Sequence, residues 1–235
     1  MTSWRAINAD ARLKQLGFNP AALIKYLNHN LTLSYQDGVL CLYHRDNPKK
    51  PFYLDFNSRQ FQHRLQRAQH EQLIKACRIK KQDNLRLLDT TCGLGRDAML
   101  LQQAGFQVTA CERHPVLAAL LADGLERVKS PESVFKLILA DARALMQTGG
   151  YDVLYLDPMF PVTSKSARVK KDMYMLQQLH DKADDDTDQL FAAALAADCQ
   201  RVVLKRPQKA PLLTKQTPTF QINGKTCRFD VYQRS

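Results

Sequence analysis

The sequence predicts an α/β fold, in which a mostly parallel sheet ends in an antiparallel hairpin and a small α+β module precedes it. Three observations carry this. Strand-like and helix-like stretches alternate from residue 85 onward, an Asn-Gly pair near the end separates two β-rich runs, and short runs joined by hairpin turns fill the stretch before residue 80. The 235 residues are 45% apolar and 24% charged, enough apolar side chain for a full core and outside the range of disordered or collagenous chains. The change of pattern divides the chain into a module over 1–80 and a larger domain over 81–235.

Residues 3–28 read as amphipathic helix, broken by Gly17-Phe-Asn-Pro20. The period then shortens. Runs at 31–36, 39–44 and 52–56 are rich in β-formers, with Asp37-Gly38 as a hairpin turn between the first two and Asn47-Pro48 before the third. A three-stranded meander is expected there, then a basic helix over 60–78. Residues 85–89 form the first strand of the larger domain, and 96–104 a helix that stops at Gly105. A second strand at 106–112 and a second helix at 116–128 follow. Strands at 135–141 and 151–157 flank a short helix at 143–148; a helix at 187–198 leads to a fifth strand at 201–205. Residues 219–233 hold Asn223-Gly224 between two strands. Right-handed crossovers make the first five strands parallel. A parallel sheet finished by such a hairpin is the Rossmann-like layout of class I methyltransferases rather than of plain dinucleotide-binding domains.

Charge is localised. Lys and Arg number 34 against 23 Asp and Glu, a net +11. Segments 59–81, 164–171 and 205–235 carry +6, +4 and +6, which leaves the rest at −5. Clustering of this kind suits a surface that meets phosphates. The six cysteines show no C-x-x-C spacing and the six histidines no zinc-ligand spacing, so reduced structural thiols and no metal are expected. No apolar run approaches membrane-spanning length and the first ten residues lack an apolar signal core, so the expected location is cytoplasmic, without a membrane partner.

The first strand runs into Asp89-Thr90-Thr91-Cys92-Gly93-Leu94-Gly95-Arg96-Asp97-Ala98. Gly93 and Gly95 let the backbone turn sharply and approach a ligand, and the next helix offers free N–H groups. The pattern alone is shared by NAD, FAD and S-adenosylmethionine (SAM) binders. Asp89 before the glycines and Asp97 at the helix start favour SAM, because a carboxylate repels a diphosphate and suits the ammonium of a methionine group. Glu112 closes the second strand, 19 residues after Gly93, where an acid can accept both ribose hydroxyls. Asp141 closes the third, where a carboxylate can meet the adenine amino group. Each residue alone is a common turn or cap; their joint place at the ends of successive strands is the signal.

The fourth strand ends in Asp157-Pro158-Met159-Phe160-Pro161. An exocyclic amine on a nucleobase is a weak nucleophile because its lone pair is delocalised into the ring. The Asp157 carboxylate and the Pro158 carbonyl can accept its two protons and hold it in line with a sulfonium methyl, and Phe160 can stack on the base. The basic run containing Lys165, Arg168, Lys170 and Lys171 follows at once, placed to grip phosphates that flank an extruded base.

These stretches resemble the bacterial RsmJ family of small-subunit (16S) ribosomal RNA guanine-N2 methyltransferases. The resemblance rests on Gly93-Leu-Gly-Arg-Asp-Ala98, Glu112-Arg-His-Pro115, Tyr155-Leu-Asp-Pro-Met-Phe-Pro161, Lys165-Ser-Ala with Val169-Lys-Lys, Lys205-Arg-Pro and Arg228-Phe-Asp-Val-Tyr232. It implies SAM contacts from Arg96-Asp97, Glu112-Arg113, Asp141-Ala142 and Asp157, with S-adenosylhomocysteine as product. Thr90-Thr91-Cys92 departs from the family, standing where smaller residues are usual. The function expected is methyl transfer to the exocyclic N2 of a guanosine in small-subunit rRNA, free or within the small ribosomal subunit. Arg64, Lys165, Arg168, Lys170, Lys171, Lys205 and Arg206 are the candidate RNA contacts. DNA adenine-N6 methylation uses the same acceptor logic, and an NAD-type oxidoreductase or a non-catalytic RNA-binding module fits parts of the pattern.

Overall fold

The structure is a computed structural model that describes residues 9–130, 134–158, 179 and 186–234. Its first elements are α1 (Asp10–Gln15), α2 (Pro20–Leu23), β1 (Leu31–Gln36), β2 (Val39–His44), α3 (Arg59–Gln66) and α4 (Gln72–Cys77). Then come β3 (Arg86–Asp89), α5 (Arg96–Gln103), β4 (Gln107–Glu112), α6 (Pro115–Glu126), β5 (Lys136–Leu139) and α7 (Ala142–Thr148). The last are β6 (Val153–Leu156), α8 (Thr187–Ala196), β7 (Arg201–Pro207), β8 (Phe220–Asn223) and β9 (Cys227–Gln233). The chain forms two compact units: one takes 9–57, 114–130 and 179 of the described residues, the other 58–113, 134–158 and 186–234. Helix α6 thus belongs with the N-terminal stretch, and residues 58–80 with the large sheet.

In the first unit, Pro20 opens α2 and the Asn19 side chain accepts the Ala21 N–H at 3.0 Å, the local reason the helix restarts there. Strands β1 and β2 pair antiparallel from Leu31↔His44 to Gln36↔Val39, and Asp37 and Gly38 turn the hairpin with φ of 51° and 78°. The expected third strand is reduced to a single bridge, Leu42↔Phe52. Two observations explain the short pairing. Pro51 has no N–H to donate, and the Leu54 carbonyl accepts from the Arg127 guanidinium at 2.5 Å instead of from a strand. Asp123 on α6 is fully buried; it accepts from Arg12 at 2.8 Å, from Arg127 at 3.0 Å and from the Leu40 N–H at 3.0 Å.

The second unit is a seven-stranded sheet in the order β5-β4-β3-β6-β7-β9-β8. Strands β5 to β7 are parallel, and β9 runs antiparallel between β7 and β8. The α/β layout expected from the alternation, with its terminal hairpin, is therefore the one observed. Alternation of side chains sorts the strands into two faces. Leu88, Leu154, Leu156, Val202 and Leu204 point to the face where Phe191 of α8 and Met146 of α7 bury. Tyr155 and Lys205 point to the other, where both reach Asp97 on α5.

The helix expected over 60–78 is two helices, α3 and α4, parted by a 3-10 turn at Ala68–His70 and by Glu71 in extended geometry. At 100° per residue, Ile74 and Cys77 would lie on the opposite side of an unbroken helix from Phe61 and Leu65, yet all four are buried. The break lets both apolar sets face protein. Among the described residues, no helix is long and apolar enough to cross a membrane.

Candidate active site

Strands β3 and β6 are neighbours whose chains continue to opposite sides of the sheet, β3 toward β4 and β6 toward β7. Ligands of open α/β sheets bind beyond the carboxyl ends of strands at such a point. The loop after β3 turns through Gly93 and Gly95, with φ of 55° and 70°, and Gly95 caps α5. Positive φ at these two positions is what requires glycine. The loop is tied on both sides: the Gly93 N–H donates to Glu112 Oε2 at 3.0 Å, and the Cys92 N–H to the Cys111 carbonyl at 3.0 Å.

Two threonines join this loop to the end of β6. The Thr90 hydroxyl and N–H both donate to the Tyr155 carbonyl, at 3.0 and 2.9 Å. The Asp157 N–H donates to the Thr91 hydroxyl at 2.6 Å. The side chains that set Thr90-Thr91 apart in the sequence are thus the ones that hold Asp157 beside the glycine loop. Sequence reasoning missed both; their hydroxyls, next to the glycine motif, were the available signal.

The carboxylates converge. Lys205 Nζ donates to Asp97 Oδ2 at 2.8 Å and to Asp157 Oδ2 at 2.7 Å. Asp97 also accepts from the Tyr155 hydroxyl at 2.7 Å, and Arg64 Nη2 lies 3.8 Å from its Oδ1. Burial pushes Asp97 up, but Lys205, the Tyr155 hydrogen bond and Arg64 outweigh it and hold this carboxyl below its ordinary range. Asp157 has fewer partners: burial raises it, and the nearby Asp97 adds to the rise against the pull of Lys205. Burial opposes charge on Lys205, and the two carboxylates overcome that and keep its ammonium well above the usual lysine range. Asp89 is almost fully buried and its carboxyl is pushed well up by burial, while its Oδ1 accepts the Thr91 N–H at 3.2 Å.

The remaining expected cofactor residues line the same edge. Glu112 is buried at the end of β4, Arg96 is the exposed first residue of α5, and Ala142 is buried at the start of α7. Asp141 caps α7 through the Arg143 N–H at 2.9 Å, and hydrogen bonds from the Arg143 guanidinium hold its carboxyl low. Arg113 pairs with Asp186 at 2.9 Å, and Asp186 in turn meets Arg143 at 3.0 Å. Pro158 is buried; Phe160 lies outside the described residues.

Of the seven expected RNA contacts, Arg64, Lys205 and Arg206 are among the described residues. Lys165, Arg168, Lys170 and Lys171 lie outside the described residues. Arg64 is engaged by Glu71 at 2.8 Å, Lys205 by the two carboxylates, and Arg206 is buried with Nη2 donating to the Pro211 carbonyl at 3.0 Å. Lys205 and Arg206 are thus engaged within the protein, while the Arg64 side chain stays about two-fifths exposed. Cysteine plays no visible nucleophilic part. All six thiols are unpaired with one another, burial pushes Cys111 up to about 12, and Cys92 is raised well above the normal thiol range. Among the described residues, no group of His, Cys, Asp and Glu is disposed to hold a metal ion.

The donor set tests which cofactor this edge accepts. Asp89, Asp97, Glu112 and Asp157 surround the glycine loop, with Lys205 committed between two of them. Such a set suits a ligand carrying a sulfonium and an ammonium and disfavours a diphosphate, so the residues present fit SAM.

Comparison with known proteins agrees. A family described as "Putative SAM-dependent methyltransferase" matches residues 19–234. The ribosomal RNA small subunit methyltransferase J of Alcanivorax borkumensis is 43% identical over 206 residues, spanning 86% of this chain and 83% of that protein. The enzyme of the same name from Pseudoalteromonas atlantica is 42% identical over 223 residues, 88% of this chain and 86% of that one. A crystal structure of a SAM-dependent methyltransferase from Neisseria gonorrhoeae superposes with a TM-score of 0.65 at 29% identity, covering 87% of this chain and 83% of that chain. The chain belongs to the SAM-dependent methyltransferase family that includes ribosomal RNA small subunit methyltransferase J.

Proposed function

We propose that this protein transfers a methyl group from SAM to the exocyclic N2 of a guanosine in small-subunit rRNA, with Asp157 and the Pro158 carbonyl as acceptors for the amine protons. The observation that carries this is the position of Asp157 at the end of β6, its N–H held by Thr91 and its Oδ2 by Lys205. The relatives named above supply the substrate class. When bound, SAM presents a methyl group on a positively charged sulfur that departs with the C–S electron pair. The protein's part is to fix geometry: acceptors at Asp157 and Pro158 orient the amine for in-line attack and favour the pyramidal nitrogen that attack requires. Arg96-Asp97, Glu112-Arg113, Asp141-Ala142, Asp89 and the Gly93–Gly95 turn would hold the cofactor, and Phe160 would stack on the base.

The charge distribution supports RNA as partner. Strand β7 ends at Pro207, level with Cys227 of β9, so the exposed Lys209 and Lys225 follow and precede the sheet at its site edge. Lys80 and Lys81 precede β3 at the opposite edge and serve this surface less directly. The basic run 164–171 remains the proposed grip on flanking phosphates.

The test is nucleoside mass spectrometry of rRNA and of duplex DNA after incubation with the protein and isotopically labelled SAM. Label in N2-methylguanosine of small-subunit rRNA is expected. Label in N6-methyladenine of DNA, or none in either, refutes the proposal.

A further inference from the structure

Lys205 lies on β7 beside the residue assigned as the amine acceptor. Parallel pairing sets Leu156 level with Leu204, so the next residues, Asp157 and Lys205, stand side by side on the edge of the sheet. The Lys205 side chain is three-quarters buried and its ammonium touches two carboxylates at once, 2.8 Å from Asp97 and 2.7 Å from Asp157. Among the described residues, the hydrogen bond to the Asp157 carboxylate comes from Lys205 and reaches Oδ2.

We propose that Lys205 is a positioning residue for methyl transfer: its ammonium bridges Asp97 and Asp157, keeps these two close carboxylates charged together, and turns Oδ1 of Asp157 to the acceptor amine. This rests on the assignment of Asp157 as the amine acceptor. Other groups around the bridge do not substitute for it. Arg64 on α3 is 3.8 Å from Asp97 and is shared with Glu71; the Tyr155 hydroxyl on β6 serves Asp97 alone; Asp89 at the end of β3 is a further buried carboxyl; Cys227 on β9 is a thiol shifted upward by burial.

Without the ammonium, two carboxylates face each other in a partly buried site, and one of them takes up a proton. Asp97 keeps Arg64 and Tyr155, so the proton goes to Asp157. A protonated Asp157 donates where it must accept, and the amine loses its partner.

The test follows methyl transfer to small-subunit rRNA and, separately, SAM binding without RNA, between pH 6 and 9, for the wild-type protein, Lys205→Met, Lys205→Gln and Lys205→Arg. Lys205→Met and Lys205→Gln are expected to lose about tenfold or more at pH 7, mainly in kcat, and to recover as pH rises, with the acidic limb displaced upward by about one pH unit. Their SAM affinity is expected to acquire the same new pH dependence. Lys205→Arg, which restores a cation, is expected to keep the wild-type limb. An unshifted limb in either neutral variant, or a uniform loss that arginine does not repair, overturns the proposal. If the wild-type protein methylates no rRNA while the neutral variants still show the shifted SAM binding, the substrate assignment fails and the carboxylate bridge stands.

Discussion

The hydroxyl of Thr91 accepts the backbone N–H of Asp157 at 2.6 Å, across 66 positions of sequence. Thr91 lies in the turn that would receive the cofactor, and Asp157 follows the strand that would present the acceptor amine. One hydrogen bond therefore couples the positions of both reactants. Its neighbour Thr90 doubles the tie through the Tyr155 carbonyl.

Thr91→Val keeps the shape of the side chain and removes the acceptor. It is expected to lower kcat about tenfold, the effect of a displaced reacting group, with SAM affinity changed less than threefold. Thr91→Ser is expected to retain most activity. Steady-state methylation assays beside calorimetric SAM titrations measure the two effects independently.

Asp157→Ala is expected to reduce methyl transfer by roughly 100-fold or more, because the amine loses its charged acceptor, while SAM binding is partly retained. Single-turnover assays with pre-bound SAM report the chemical step directly. Full turnover in this variant would refute the catalytic assignment.

Asp89 is expected to make stability depend on pH. Its folded-state carboxyl is raised by burial, so the folded state holds the proton after the unfolded chain has released it. Stability from this group is complete below the ordinary aspartate range and is lost as pH climbs from there to the raised folded value. Asp89→Asn keeps an oxygen for the Thr91 N–H and removes the ionisation. Its melting temperature is expected to exceed that of the wild type at pH 8, with the gap closing toward pH 4.

Asp123 is expected to be a stability determinant of the first unit. Its replacement by Ala leaves the buried Arg12 guanidinium without its main partner and removes the acceptor for Leu40, at a cost of about 3–5 kcal/mol. Urea unfolding followed by circular dichroism checks this. A cost under 1 kcal/mol would show that Arg12 finds Glu126, 2.8 Å away, a sufficient partner.

RNA affinity is expected to fall linearly with the logarithm of salt concentration. Neutralising Lys209 and Lys225 together is expected to flatten that slope by roughly 1.5, since each phosphate contact contributes about 0.7–0.9. Filter binding between 50 and 300 mM salt measures it, and an unchanged slope places the RNA elsewhere.

Much of this molecule is legible in local pattern. The strand–helix alternation after residue 85 and the Asn223-Gly224 hairpin correspond to elements seen in the structure, because short local runs specify them, as in the apolar Val153–Leu156, which is buried at every position. The glycine turn and the acids at successive strand ends were visible for the same reason: each is set by its own few neighbours. Two local patterns misled. The β-rich run at 52–56 makes one bridge, because Pro51 and Arg127 divert its pairing, and the helix over 60–78 breaks, because its two apolar sets need different faces.

Sequence by itself determined the α/β class, the glycine turn that would receive the cofactor and the kinds of side chain gathered at the sheet edge. Tertiary structure alone decided their partners: that Lys205 meets both Asp97 and Asp157, and that Thr91 holds Asp157. The physical reason is register. Which residues stand level across β3, β6 and β7 depends on how strands far apart in the chain align, and no local period encodes that alignment.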